Sequence, residues 1–362
     1  MFKFRILFLL MIPAATMGQR NVDLDKYSFR VQLRSLPRLK LDSTYRTYNV
    51  EVESTKLMQS FMREIDPARM VEIDGWRKLN KQGHLSVQVR IEDLLPDGFT
   101  VSERVENIKD KLGKITGTRT YYTQEMTYTF AASAVIMDYK GVHIQDQVLA
   151  SRDRKYTFRS PEFPVRQMAE GYFLINSLKV TNDLFRINVT NAMNALSNRM
   201  SDDFGYGETT TSDYMWVVGS RKHSEYDGNR KAISLINDVL FSMTPNAPIT
   251  DARATLKPAI DYFEMVKKRY SSTSKHDRKI RYASYFNLAV LYYYLDDPQS
   301  MAREANGLVL NDFDSKDGKG FESVAMQLKN QLQNANVYSR HFPVDTTAFK
   351  GPFEQRSVVI SH

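Results

Sequence analysis

The segment HSEYD sets His223, Glu225 and Asp227 at alternate positions, so on an extended strand all three side chains would share one face. A hard metal ion could use such a set. Zinc sites usually recruit more histidine than a chain with six can supply, and none of these six falls in an HExxH pattern. The segment therefore reads as a solvated link between domains, with Asp227 capping the helix that follows. The acidic run NDFDSKDGKGFE raises the same question for calcium. Counted from Asp312, the third position is Asp314, but the fifth is Lys316 and the sixth is Asp317. A calcium loop needs an oxygen ligand and a glycine there, and the lysine would put a cation in the cage, so this run reads as a polar turn between helices.

Other catalytic chemistry finds little support. There is no GxSxG, Walker A or GxGxxG pattern, and Gly205 and Gly207 are loop glycines with no helical phosphate cradle after them. The carboxylate pairs Glu92 with Asp93 and Asp202 with Asp203 are sequence neighbours, which point apart and define no shared acid/base site. The absence of cysteine removes disulfides, thiol nucleophiles and thiolate metal sites together. No cofactor is implied. The strongest charge feature is KKRYSSTSKHDRKIR, where Lys267, Lys268, Arg269, Lys275, Arg278, Lys279 and Arg281 crowd one turn. Such a turn could grip an anionic lipid head group, an acidic polymer or an acidic partner, or it could be an ordinary solvated link.

The elements that would position these residues fall into two regions. From Tyr27 to Ser160 the hydrophobic period is two: Phe29, Val31 and Leu33 alternate with Arg30, Gln32 and Arg34, and Leu85, Val87, Val89 and Ile91 with polar neighbours. A helix with Leu57, Phe61 and Ile65 on one face lies between them. Residues 119–160 read as a three-stranded antiparallel meander turning at Tyr139–Gly141 and at Ser151–Asp153. Two helices follow, one with Val165, Met168, Ala169, Tyr172 and Phe173 on a shared face and one over about Asp183 to Asp202, and then a closing strand YMWVVGS. Strands, helices and a returning strand predict an α+β domain with a largely antiparallel sheet.

From Tyr226 the pattern is helical throughout, with Ile233, Ile236, Val239 and Leu240 on the first stripe and Ile260, Phe263 and Val266 on the second. That second helix spans about Asp251 to Arg269, or starts at Pro258, since proline suits a first turn. The next helix, about Lys279 to Leu295, is apolar on nearly every side, with Tyr285, Ala289 and Tyr292 on one face and Ala283, Val290 and Tyr294 on another. Asp297 is placed to cap its successor and Pro298 to occupy the first turn; the stripe there is Met301 or Ala302, Ala305, Leu308 and Val309. A double-faced helix followed by a single-faced one is what a stacked helical hairpin needs. These residues resemble the tetratricopeptide repeat. Tyr285, Leu288, Ala289 and Tyr292 match the aromatic, Leu-Gly/Ala, Tyr spacing of its first helix, Ala302 sits one place from its small-residue position, and Ala305 or Asn306 stands where its second aromatic would be. The terminal proline is missing after Leu310. The resemblance covers about thirty residues and implies a helical surface that holds peptides or partner proteins.

The chain opens with Lys3 and Arg5, an apolar run Ile6 to Ile12, and small residues to Gly18, the order of a secretory signal peptide and too short to span a bilayer. Aromatics at 12% and hydrophobics at 42% supply real cores. The net charge of +8 falls to +6 once Lys3 and Arg5 are removed, a modest basic balance that favours anionic surfaces or acidic partners. Nucleic acid is a poor partner for an exported chain. The organisation expected is a signal peptide over 1–18, an α+β domain over 19–222, a tetratricopeptide-like helical domain over 223–337, and a tail over 338–362 that lies extended over the helices or stays mobile, its SVVISH segment able to add a strand to a partner's sheet. The function expected is a non-catalytic envelope scaffold, in the periplasm or at the surface, whose partners are other envelope proteins or peptides. The alternatives are an envelope hydrolase of glycan or peptide whose acids come from distant positions, and a carrier using the aromatic sheet around Tyr121 to Phe130 for a small apolar ligand.

Overall fold

The structure is a computed structural model, and it describes residues 22–61 and 65–354. The expected signal peptide and the SVVISH segment lie outside those residues, as does part of the helix expected around Phe61. The fold is α+β, as the switch from period two to period 3.6 requires. In chain order the elements are strands β1 (Leu24–Arg34) and β2 (Thr47–Ser54), helices α1 (Lys56–Phe61) and α2 (Pro67–Met70), then strands β3 (Arg77–Lys78), β4 (Leu85–Ile91), β5 (Leu95–Lys109), β6 (Ile115–Thr129), β7 (Ala132–Asp138), β8 (His143–Ala150) and β9 (Lys155–Arg159). Helix α3 (Arg166–Phe204) and strand β10 (Glu208–Val218) follow, then helices α4 (Tyr226–Ser242), α5 (Thr250–Thr255), α6 (Lys257–Arg269), α7 (Lys275–Tyr294), α8 (Pro298–Asn311) and α9 (Ser315–Ala335).

Two compact units form, and they are not the consecutive domains expected from the sequence. Among the described residues, one combines 22–32 with Thr210–Asn330, the other Leu33–Thr209 with 331–354. The boundary at 222/223 fails because β10 pairs with β1 and is fastened to helices of its own unit. Buried Asn287 on α7 accepts from the Trp216 N–H (2.7 Å) and donates to the Trp216 carbonyl (2.8 Å). Asn229 on α4 accepts from the Val218 N–H (3.0 Å). A strand edge left bare in a core would strand its amides, and these two asparagines satisfy them.

In the sheet unit, β3-β2-β4-β7-β8 form one sheet and β5-β6-β9 a second. Pairing is antiparallel except at β2, which runs parallel to β3 and β4; α1 and α2 lie on the crossover that parallel neighbours need. The alternation read in β4 is real, with Leu85, Val87, Val89 and Ile91 all buried. The meander is corrected: β7 and β8 do form a hairpin at Gly141, but β6 pairs with β5 and β9 instead of β7. The polar face of β1 ends early, because Arg34 is buried and donates to the carbonyls of Tyr206 (2.6 Å) and Phe342 (3.2 Å).

The two helices expected over 165–202 are one, and its inward side is not the predicted one throughout. Ala169 is buried, while Tyr172 and Phe173 pack with Val180 and Leu184 on Met126 and Tyr128 of β6. Val165 and Met168, assigned to the same face, are exposed. The aromatic face of β6 is filled by these side chains. The described part of the tail, to residue 354, is held within the sheet unit: Arg77 donates to the Phe349 carbonyl (2.5 Å) and pairs with Glu354 (3.2 Å), and Phe353 stacks edge-on to Tyr139.

Candidate functional site

In the helical unit, the basic turn is a clasp and not a free cationic patch. Lys267 is nearly buried, pairs with Glu264 (2.9 Å) and Glu304 (2.6 Å), and sits over the Tyr285 ring at 4.6 Å. Glu304, only 1% exposed, also accepts from Arg303 (3.0 Å), so one carboxylate ties α6 to α8. Arg278 pairs with Asp312 (3.2 Å), and Arg281 donates to Asn311 (2.9 Å), to the Ser272 carbonyl (2.8 Å) and to the Tyr270 carbonyl. Arg269 pairs with Glu225 (2.5 Å). Of the seven cations, Lys267, Arg269 and Arg278 are ion-paired and Arg281 is spent on Asn311 and two backbone carbonyls, so the turn is fastened internally and is not the open anion grip read from the sequence.

The segment around His223 and Glu225 is buried, which overturns the solvated link. His223 and Glu225 end a turn that opens α4, and Asp227 lies in the first helical turn without capping it. Glu225 accepts from Arg269, from the Tyr262 hydroxyl (3.0 Å) and from the Tyr270 hydroxyl (3.1 Å). Burial, with the Glu225 charge beside it, pushes the Tyr262 hydroxyl far up, and the hydrogen bond to Glu225 raises the Arg269 guanidinium. His223 stacks on His276 at 5.4 Å and accepts the Glu225 N–H at Nδ1 (3.1 Å). Burial, then the His276 charge, lowers the His223 imidazole. Burial works to raise the Asp277 carboxyl, but hydrogen bonds from His276, Ser272 and Ser274 outweigh it and hold the group below its ordinary value. This constellation pins α4, α6 and α7 together. Among the described residues no three His, Asp or Glu side chains converge as metal ligands.

The hairpin residues are placed largely as read, with one correction. Leu288, Ala289 and Tyr292 are buried, Tyr285 is half-buried, and Ala305 is buried on α8, but Ala302 is exposed and Met301 takes the inward position. Asp297 caps α8 by accepting the Ser300 N–H (3.0 Å), and Pro298 is in the first turn. One face of α7 packs on α8, and another meets β10 through Phe286 against Trp216 (6.0 Å) and Tyr214 (5.3 Å). Two glycines set the helix spacing and escaped the sequence reading. A Cβ on Gly307 would lie 2.3 Å from the Tyr285 ring, and one on Gly318 would lie 2.7 Å from Val309 and 2.8 Å from the Ala305 carbonyl. Three large apolar side chains stay exposed on these helices: Phe241 (78%), Leu310 (77%) and Met326 (67%).

Within the sheet unit, a groove of about 560 Å³ is lined by Glu72, Asp74, Asn194, Ser197, Ser201 and Asp202. Its carboxylates are exposed, and Asp202 is paired with Arg38 (3.1 Å). The Ser197 and Ser201 hydroxyls are spent on the Glu72 and Asp74 backbone amides, each at 3.0 Å.

No family model and no curated protein matches the chain. Among solved structures, it shares a likeness with a minor lipoprotein from Acinetobacter baumannii, at 11% identity and a TM-score of 0.21, covering 46% of this chain and 96% of that one. A likeness at that level carries no argument about fold or function. No helix among the described residues is long and apolar enough to cross a membrane.

Proposed function

We propose that the chain is a non-catalytic, exported cell-envelope protein that acts as an assembly scaffold, with a tetratricopeptide-like helical unit that docks other envelope proteins or peptides. The observation that carries the reading is the α7–α8–α9 stack. Its helices approach at Gly307 and Gly318, its charged turn is consumed internally, and it leaves Leu310 and Met326 exposed on successive helices. Export rests on the order of charge, apolar run and small residues at the N-terminus. In-cell lysine crosslinking of the mature protein, followed by mass spectrometry, tests the reading: crosslinks to envelope proteins should concentrate on Lys268, Lys275 and Lys279. Crosslinks spread evenly over the chain, or none, would count against it. The groove with Glu72, Asp74 and Asp202 supports the rival reading, an envelope hydrolase. Activity on envelope glycan or peptide that is lost in Glu72→Gln or Asp74→Asn would favour that rival.

A further inference from the structure

The β5–β6 hairpin is long, and only its root is packed. Phe99 meets Phe173 of α3 at 4.9 Å, Gln124 bonds the start of α3, and Tyr122 bridges to Phe163. Beyond the Glu103–Tyr122 pair the ladder continues through six further pairs to Lys109–Ile115, a reach of about 20 Å at about 3.4 Å per residue. From Val105 to Arg119 every hydrogen bond and ion pair among the described residues stays within the hairpin.

The tip of this arm is built. Asp110 accepts the N–H groups of Leu112 and Lys114, both at 2.9 Å, and the Gly113 N–H reaches the Asp110 carbonyl (3.0 Å). Gly113 takes φ +81°, a conformation that favours glycine. The one carboxylate at the tip is thus spent on the backbone. The cations are not: Lys109, Lys111 and Lys114 are exposed, with no ion pair among the described residues. Flanking them stand Ile108 (42% exposed) and Ile115 (53%), and at the apex Leu112 at 93%. A folded chain rarely keeps a leucine that bare at the end of a braced turn.

We propose that this tip docks the protein on an anionic lipid bilayer, Leu112, Ile108 and Ile115 entering the interface while Lys109, Lys111 and Lys114 meet the head groups. Lysines beside an apolar apex complement that surface in both respects: apolar side chains gain by leaving water, and each lysine gains by approaching negative charge. The inference is independent of the scaffold reading. It also moves the anionic contact from the turn at 267–281, where the cations are spent internally, to the hairpin.

The test is co-sedimentation of the mature chain with vesicles of phosphatidylcholine alone and with phosphatidylglycerol added. Binding is expected only to the anionic vesicles. Each lysine changed to glutamine among Lys109, Lys111 and Lys114 should weaken it about fivefold. Leu112→Ser should weaken it about tenfold or more. A control triple, Lys268→Gln, Lys275→Gln and Lys279→Gln, removes three charges at once and should leave binding unchanged. Circular dichroism checks that every variant is folded, which the exposure of these side chains favours. Failure of the parent chain to bind anionic vesicles overturns the proposal. So does equal loss in the control triple, or indifference to Leu112→Ser.

Discussion

Replacing Asn287 with leucine isolates the device that fastens β10 to the helices. The side chain is fully buried, and its amide serves both the N–H and the carbonyl of Trp216, at 2.7 and 2.8 Å. Leucine is close in volume, so packing changes little, but two backbone groups lose their partners, each at a cost of about 1–3 kcal/mol. The added apolar burial returns about 1 kcal/mol, leaving a net loss of about 1–5 kcal/mol. Asn287→Asp keeps the acceptor but sets a carboxylate against the Trp216 carbonyl, and should cost at least as much. Urea unfolding followed by tryptophan fluorescence is the assay. The chain has two tryptophans, and Trp76 lies in the sheet unit, so a Trp76→Phe background makes Trp216 the reporter of its own bonds. A loss under about 0.5 kcal/mol in both variants would refute the reasoning, since it would mean that the strand edge does not depend on Asn287.

Gly307→Ala should destabilise the helical unit by about 1–3 kcal/mol of overpacking against Tyr285, and Tyr285→Ala in the same background should recover most of it, measured in a double-mutant urea series. Glu225→Ala removes the acceptor of Arg269, Tyr262 and Tyr270 and should cost about 3 kcal/mol, whereas Arg269→Gln, at a half-exposed side chain, should cost about 1 kcal/mol by the same measurement. His223 and His84 are both lowered from their ordinary value, chiefly by burial. The folded protein therefore binds fewer protons than the unfolded chain, so stability is complete above about pH 6.5 and falls as pH drops below it. Melting temperature followed from about pH 7.5 to 5.5 should fall, and His223→Gln should flatten the part reported by Trp216.

The helical half was legible because its stripes are long and its stops chemical. Asp297 and Pro298 mark the start of α8, and Pro258 falls in the first turn of α6. The choice between Met301 and Ala302 was beyond periodicity, since one residue of rotation separates them and only the packed partner decides. Strand β5 escaped because its side chains are exposed on both faces, which erases the alternation by which strands are read. The expected break in α3 has a related cause: its inward face changes along the helix, leaving Leu174, Ile175 and Leu178 exposed while Val180, Leu184 and Phe185 are buried. The basic turn looked free because sequence neighbours hide distant partners: Glu304 is 37 positions from Lys267, and Glu225 is 44 from Arg269.

The scaffold reading is tested most directly by placing a photo-crosslinking residue at Leu310 or Met326, with Val142 of the sheet unit, also exposed, as a control. The account predicts adducts with the same envelope protein from 310 and 326 and none from 142, and the adduct should re-form when that protein is purified and mixed with the chain. An absence of adducts from the helical positions, or the same adducts from 142, would contradict it.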